Sequence, residues 1–598
     1  MAAPALRFDF YARSVSALLI VATGVGCFDP EGSRTAWEGT RQPSRPTAVF
    51  PAHEQLDKLP SLPPPLEAFA TDSAPVDAWA IAATTSAGPA TDEDSSPWGG
   101  VARAVVAAHK DSTRLSPALR CAASEVAKFF AERQAMPTES LRRFMVARCG
   151  TVSPDTMPVV VGLRAPARVS DAAIFDRLQG SLRDRIEKRL QGPGHHVLGL
   201  ATVREGGQFA AAAVIGSDEV DLDPGPWVAD KSRRVVVRGT LRAPAAAVLG
   251  LINRGDYATD ECIADPRIGL PHFAFSCRLD EADKLAWMQI LVRRNGRVLE
   301  DTLADVLVVE SDTAGLEYRP HASGSPLPVA DAAMLTPVLV DAINRTRAKA
   351  NLAPLALCAK QSAEHARLVG TLIDASIKGR DSEADAIALG LLAGWNVDGL
   401  IREGSLMSAL VAPTRDASVW LDFALERPAG RVTLLDPEAR RIAIGPAFPA
   451  SGGPALGAVV TTYALFEGAS DAPKQAQMVE RVSAARKELG LRALAALDAG
   501  REIREQARLV LQGKRQPYEA LETVMQALVE RRTEYVEGFT VETNDLTHVR
   551  IPDAVLRAPA GSLAIEVTHH RVEGAAWGQY VVLFVLARPD PSQPGATF

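Results

Sequence analysis

"INRTRAKANLAPLALCAKQSAEHARLVGTLID", residues 343–374, and "ERVSAARKELGLRALAALDAGREIREQARLVLQG", residues 480–513, follow one plan. In each, a basic helix runs to a break, at Asn351 or Gly490. A Leu-x-x-Leu step then leads into a second helix that carries Ala-Arg-Leu-Val. The later copy is two residues longer between that step and the shared tetrapeptide. A third stretch, "LSPALRCAASEVAKFFAERQ" (115–134), spaces its apolar residues as an amphipathic helix does. Each region also closes in the same way, with residues 195–216, 440–466 and 562–587 reading as strand, turn and strand around Gly206-Gly207, Gly452-Gly453 and Gly574. Helices first and a hairpin last, three times, is an internal repeat. It predicts an α+β multidomain chain rather than alternating βαβ layers.

Between the first and second copies, residues 221–312 break the pattern. "RRVVVRGTLRAP", "HFAFSC", "LAWMQILVRRNGRVLED" and "LADVLVVES" read as strands, and Asn295-Gly296 predicts a two-residue hairpin. A short "DEADKL" (280–285) is the one helical candidate, so the insert reads as an immunoglobulin-like β-sandwich.

A chain of 598 residues exceeds one core. With 47% hydrophobic and 23% charged residues it has a globular composition. A net charge of -7 argues against general nucleic-acid binding, which needs a basic stripe. No apolar run of 18 residues follows the N-terminus, so a membrane contact would come through a lipid anchor at most. "MAAPALRFDFYAR" followed by the 13 residues "SVSALLIVATGVG" resembles a bacterial lipoprotein signal. Cys27 would be the lipidated residue, with Gly24 standing where the motif usually has Leu; the alternative is an ordinary secretory signal cleaved nearby, so the protein is expected in the periplasm, on the outer membrane as a lipoprotein, or secreted. Residues 28–98, rich in Pro, Ser, Thr and acids, read as a disordered tether.

Export permits disulfides, and local pairing suggests Cys121–Cys149 and Cys262–Cys277. Cys358 then remains as a buried, inert thiol.

The second copy resembles the CAP superfamily, the SCP-like extracellular domain. "INRTRAKANLAPLAL" matches its opening helix, and "VWLDFALERPAGRVTLLDPEARRIAIG" (419–445) matches its tryptophan helix, turn and following strand through Trp420, Pro428, Arg431, Leu434, Leu435, Asp436, Pro437, Ile444 and Gly445. The resemblance covers about 333–468 and implies an α-β-α sandwich. It marks 99–220 and 475–590 as degenerate copies. In the family a cleft of two histidines and two acids can hold a divalent metal. Here Gly430 stands at one histidine position, residues 371–400 contain no histidine for the other, and Glu403 is followed by Gly404 in place of Asn. One carboxylate cannot hold zinc, which needs three or four ligands, so neither metal nor cofactor is expected.

His365 lies in the packing helix with no second imidazole beside it. The adjacent pairs His195-His196 and His569-His570 point to opposite faces of strands and chelate poorly. "SDEVDLDPGP", with Asp218, Glu219, Asp221 and Asp223, lacks the spacing of a calcium loop and reads as a solvated linker. These observations favour a non-enzymatic, exported cell-envelope protein that binds a cell-wall fragment, a lipid or another envelope protein. The alternative is a hydrolase or metal-dependent enzyme that rebuilt its cleft from Glu403, His365 and Arg431.

Overall fold

The computed structural model describes residues 50–588 apart from 67–71, 75, 77, 82–95, 167, 192–193, 298, 312–315, 321–324, 451–452, 467–471, 532–534, 544–545, 547–548 and 572–574, together with the strands Phe10–Tyr11 and Thr35–Gly39. Cys27 with the apolar stretch before it, and the turn residues Gly452 and Gly574, lie outside the described residues. The chain divides into two compact units, one chiefly His53–Leu392 with Ser405–Thr462, the other chiefly Ala393–Gly404 with Tyr463–Phe598.

The first described helix, α1 (His53–Asp57), belongs to the stretch that was expected to be a tether and is treated below. The first module follows with α2 (Pro97–Ala108), α3 (Pro117–Arg133), α4 (Glu139–Arg148) and α5 (Asp171–Arg189). Ser96, Ser116, Thr138 and Ser170 cap these helices, each side chain accepting from an orphan N–H of the first turn. Its sheet runs Thr113–Leu115, His196–Glu205, Gln208–Ser217, Met157–Arg164, the first pair parallel and the others antiparallel. Strand residues alternate between faces. Ala210, Ala212 and Val214 therefore pack under α3 and α4, while Phe209, Ala211, Ala213 and Ile215 pack under α2 and α5. The tight turn at Gly206-Gly207 joins Glu205 to Gln208 with positive φ at both glycines. A disulfide joins Cys121 to Cys149.

The insert is a β-sandwich. One sheet contains Glu300–Val309, Leu285–Arg294, Ala245–Arg254 and Ala258–Glu261, and the other Val220–Leu222, Arg234–Leu241, His272–Arg278 and Ile263–Ala264. The chain leaves the first sheet after Glu261 and enters the second at Ile263, and the residue between them, Cys262, is disulfide-bonded to Cys277. Three expectations change here. Asn295-Gly296 does occupy the centre of a turn, with Arg297 N–H donating to Arg294 O, but the ladder resumes only at Val292 and Asp301. Arg297 leaves that turn to bind Asp385 through two bonds of 2.7 and 2.5 Å, so a long-range ion pair sets the wider loop. "DEADKL" forms a single turn, in which Asp280 accepts from Ala282 N–H, rather than a helix. Asp218, Glu219 and Asp221 are not a solvated linker. Arg114 clamps Asp218 at 2.6 and 2.7 Å, while Arg294 and Arg242 pair with Glu219 and Asp221, because the neighbouring strand Val220–Leu222 is zipped to Gly239–Leu241.

The second module contains α6 (Ala332–Lys349), α7 (Ala359–Ile377), α8 (Asp381–Ala393), α9 (Ala417–Glu426) and α10 (Pro428–Leu434). Its sheet order, Ala356–Leu357, Ala439–Ala447, Leu456–Leu465, Ile401–Val411, repeats that of the first module. The third module has α11 (Ala472–Glu488), α12 (Gly500–Leu511), α13 (Pro517–Val529) and α14 (Asp553–Arg557). Its strands take the same order again, Ala495–Ala496, Ser562–His570, Gln579–Arg588, Tyr535–Thr543, and Thr35–Gly39, from the expected tether, adds a fifth strand parallel to the last. Val581, Leu583 and Val585 face α12 and α13, whereas Val582, Phe584 and Leu586 face α11 and α14, so this module too is α-β-α.

A pair of buried arginines repeats with the fold. Arg347 is fully buried and donates to the carbonyls of Ala353, Leu434, Asp436 and Ala439. Arg486, just as deeply buried, donates to those of Arg492, Val555, Leu556 and Ala558. Each guanidinium thereby satisfies carbonyls left over at the end of a short helix, α10 or α14, where the helix dipole is negative. Four residues after each arginine the chain turns through positive φ, at Asn351 (57°) and Gly490 (73°). The next N–H, of Leu352 or Leu491, returns to the arginine's own carbonyl and closes the helix.

Part of the expected tether is folded. Residues 53–66 form a strap along α7: Arg367 donates to Leu56 O and Leu59 O at 2.9 Å each, and Thr371 donates to Pro60 O. Leu56 and Leu66 are buried. Further on, Trp79–Ile81 pairs with Leu316–Tyr318. The prolines of "KLPSLPPPL" give the segment no periodic apolar face, yet the Leu56 side chain and the backbone at Leu62 fill notches on helices built elsewhere in the chain. Gly370 is one such notch, since a Cβ there would lie 1.9 Å from Leu62 O. In an unobstructed helix Gly→Ala stabilises by about 1 kcal/mol. Gly370→Ala is expected to reverse that sign and to speed tryptic cleavage at Lys58; a stabilised variant with unchanged cleavage would remove the strap's dependence on this notch.

Candidate functional site

The second module positions the residues that the family cleft would use. Trp420 is fully buried on α9 and donates from Nε1 to Ala409 O at 3.0 Å, which fixes the helix against the sheet. Directly after α9 the chain doubles back into α10. The two helices meet so closely that a Cβ at Gly430 would lie 1.9 Å from Ala424 O. No histidine fits that position with this backbone.

Arg431 spends its donors on the main chain. Nε donates to Leu425 O at 2.6 Å, and Nη1 to Gly255 O and Ala258 O at 2.7 and 3.1 Å. Burial lowers its pKa to about 10, against the pull of Asp283, Asp256 and Glu426. It ties α9 to the sandwich.

His365 is sealed under the sheet with no exposure. Nδ1 lies 2.8 Å from Gln361 O and Nε2 lies 2.7 Å from Thr461 Oγ1. A carbonyl only accepts, so Nδ1 carries the proton and Nε2 accepts from the Thr461 hydroxyl. Burial pushes the imidazole down to about 4, leaving it neutral near pH 7. Glu403 sits in the strand Ile401–Val411 and meets Arg402 at 3.9 Å. The partners of His365 and Arg431 do not overlap, so these two groups form no shared reaction centre. Cys358 takes part in no disulfide and is buried.

The polar constellation that the first unit does assemble was not singled out from sequence. Arg143 on α4, Asp305 and Gln289 of the sandwich, and Glu426 and Arg427 at the end of α9 are all buried together. Arg143 Nε donates to Asp305 Oδ2 at 2.7 Å, Gln289 Nε2 to Asp305 Oδ1 at 3.0 Å, and Arg427 lies 3.6 Å from the same carboxylate. Gln289 Oε1 accepts from Ala429 N–H, and Asn253 Nδ2 donates to Glu426 O. Trp287 and Phe423 cover the two guanidinium groups at 3.8 and 4.3 Å. Burial lowers the pKa of Arg143, with Asp305 opposing. Burial raises Glu426 to about 7, with Arg143 opposing most strongly. This network joins the first module, the sandwich and the second module. Its one signal in the sequence is Arg142-Arg143 inside the apolar helix "LRRFMVAR", which resembles an ordinary solvated face.

Beside the network a cleft opens between the first and second modules. Its walls include Arg142, Arg189 and Arg427, the acidic Glu139 and Asp155, and the apolar Met136, Leu410 and Phe423. Arg142 is held by Glu139 one turn earlier. With three arginines against two acids, the cleft keeps a small positive excess beside an apolar lining. Among the described residues no helix is long and apolar enough to cross a membrane.

No family model matches the chain, and no curated protein matches it. Two solved structures are similar to part of it. A cysteine-rich secretory protein from Staphylococcus aureus shows 11% identity over 39% of this chain and 81% of its own, with a TM-score of 0.17. An extracellular protein containing an SCP domain from Bacillus anthracis shows 12% identity over 41% of this chain and 88% of its own, with a TM-score of 0.18. The likeness is distant.

Proposed function

We propose that this chain is a non-enzymatic cell-envelope binding or scaffold protein, exported and held by a lipid on Cys27, whose CAP-like second module has lost the metal cleft of that family. The observation that carries this reading is the fate of the candidate groups. Position 430 has no room for a side chain, Arg431 is caged by carbonyls, and His365 is sealed and neutral. A hydrolytic centre needs a nucleophile or base within hydrogen-bond reach of a second group and of substrate. The cleft beside the buried network suits a ligand with an anionic group on an apolar body, either a lipid or a cell-wall fragment.

Vesicles of phosphatidylglycerol and soluble peptidoglycan fragments serve as the two probes. Saturable binding to one of them is expected, weakened at least about tenfold by Arg189→Glu through reversed charge at the rim. Absence of binding to both would reject the reading. Turnover of peptidoglycan or ester substrates that disappears in His365→Asn would replace it with the hydrolase alternative.

A further inference from the structure

We propose that His53, Asp57 and Glu364 form a site for one divalent metal ion of the zinc type, which clips the strap to α7. One ligand atom from each of the three lies within 4.8 Å of the other two. His53 and Asp57 stand one turn apart on α1 and share a face, with Nδ1 3.9 Å from Oδ2. Glu364 comes from α7, a different part of the chain.

Contacts other than those among the ligands bring the two helices together. Leu56 fills the space over Gly390, where a Cβ would come within 2.2 Å of Leu56 Cδ2. The Leu62 carbonyl lies in the Gly370 notch, and Arg367 holds two strap carbonyls. Ligands held in place by their surroundings lose less freedom on binding.

The donor set, one imidazole nitrogen and two carboxylate oxygens, matches three protein ligands with a fourth position left for water. Zinc bonds of about 2.0–2.2 Å at tetrahedral angles place ligand atoms roughly 3.4 Å apart. Small rotations of the half-buried His53 and the exposed Asp57 close that gap. Calcium and magnesium favour shells of six or more oxygens and fit poorly. Arg367 binds Glu364 through Nη2 at 2.5 Å and Nε at 3.2 Å, so the carboxylate must serve a guanidinium and a metal together. That competition lowers the expected affinity below that of a site with an unshared carboxylate. The ion would act as a staple, remote in role from any reaction, and the site stands whether or not the cleft binds a ligand.

Calorimetric titration of zinc chloride into the metal-free full chain is expected to show one site. His53→Ala and Glu364→Gln should each weaken it at least about tenfold. Glu364→Gln retains an acceptor for Arg367, so its loss of zinc binding cannot be assigned to a detached strap. Saturating zinc should also slow tryptic cleavage at Lys58 in the unsubstituted chain but not in His53→Ala. Absence of zinc binding, affinity unchanged in both variants, or calcium bound as tightly as zinc would each overturn the assignment.

Discussion

Asp305→Ala lowers the unfolding free energy of the first unit by about 3–5 kcal/mol, the usual cost of removing one partner from a buried ion pair. The carboxylate is 2% exposed and stands between two guanidinium groups, Arg143 at 2.7 Å and Arg427 at 3.6 Å. Without it two positive charges remain side by side where water cannot screen them, and the Gln289 amide loses its acceptor at 3.0 Å. The loss is therefore expected to exceed that of a surface pair, which is about 0–1 kcal/mol. Trp287 lies 3.8 Å from the Arg143 guanidinium and supplies a local fluorescence signal for urea denaturation. Replacing both partners with apolar residues, Arg143→Met with Asp305→Leu, should recover much of the loss, because neither charge is then stranded. A single variant that costs less than about 1 kcal/mol would show the network to be wetter than its burial implies.

The second large effect is on pH dependence. Glu426 titrates near 7 in the folded chain, raised by burial and opposed by Arg143, Tyr318 and Arg431. An unfolded carboxyl releases its proton near 4.5. The native state therefore holds that proton longer. Its contribution is complete below about pH 4.5 and is lost as pH rises through 7, amounting to about 3 kcal/mol at 1.36 kcal/mol per pKa unit. His365 works in the opposite direction. Its folded pKa of about 4 lies below the ordinary 6.5, so its contribution is complete above about 6.5 and is lost as pH falls toward 4, again by about 3 kcal/mol. Between 4.5 and 6.5 the two slopes oppose each other. Denaturant midpoints measured across that range are expected to climb with pH in Glu426→Gln and to fall with pH in His365→Asn. Parallel profiles for both variants and the unsubstituted chain would contradict these assignments.

The repeat was legible because it is written in residues with strict backbone or burial demands. Asn351 and Gly490 mark the positive-φ turns, the Leu steps mark the ends of the first helices, and Gly206-Gly207 marks a tight hairpin. Continuous apolar runs in 209–215 and 580–587 already specify sheets covered on both faces. Polar residues were harder to place. Arg143, Arg347 and Arg486 sit in helices whose basic residues look solvated, and only long-range carbonyl or carboxylate partners reveal them as buried. The strap was missed for a related reason. Its leucines follow no period, because proline spacing and notches on α7 and α8 decide which of them are buried. The acidic run at 218–223 was misread because its arginine partners come from Arg114, Arg242 and Arg294, separate elements of the fold.

The folded strap also narrows what can serve as a spacer. Within residues 28–98, Thr35–Gly39 pair in parallel with Val536–Thr540 and residues 53–66 lie along α7, so both stretches belong to folded modules. Leu56 seated over Gly390 and the Leu62 carbonyl seated over Gly370 make the strap a clasp that must be unfastened before either helix face is exposed.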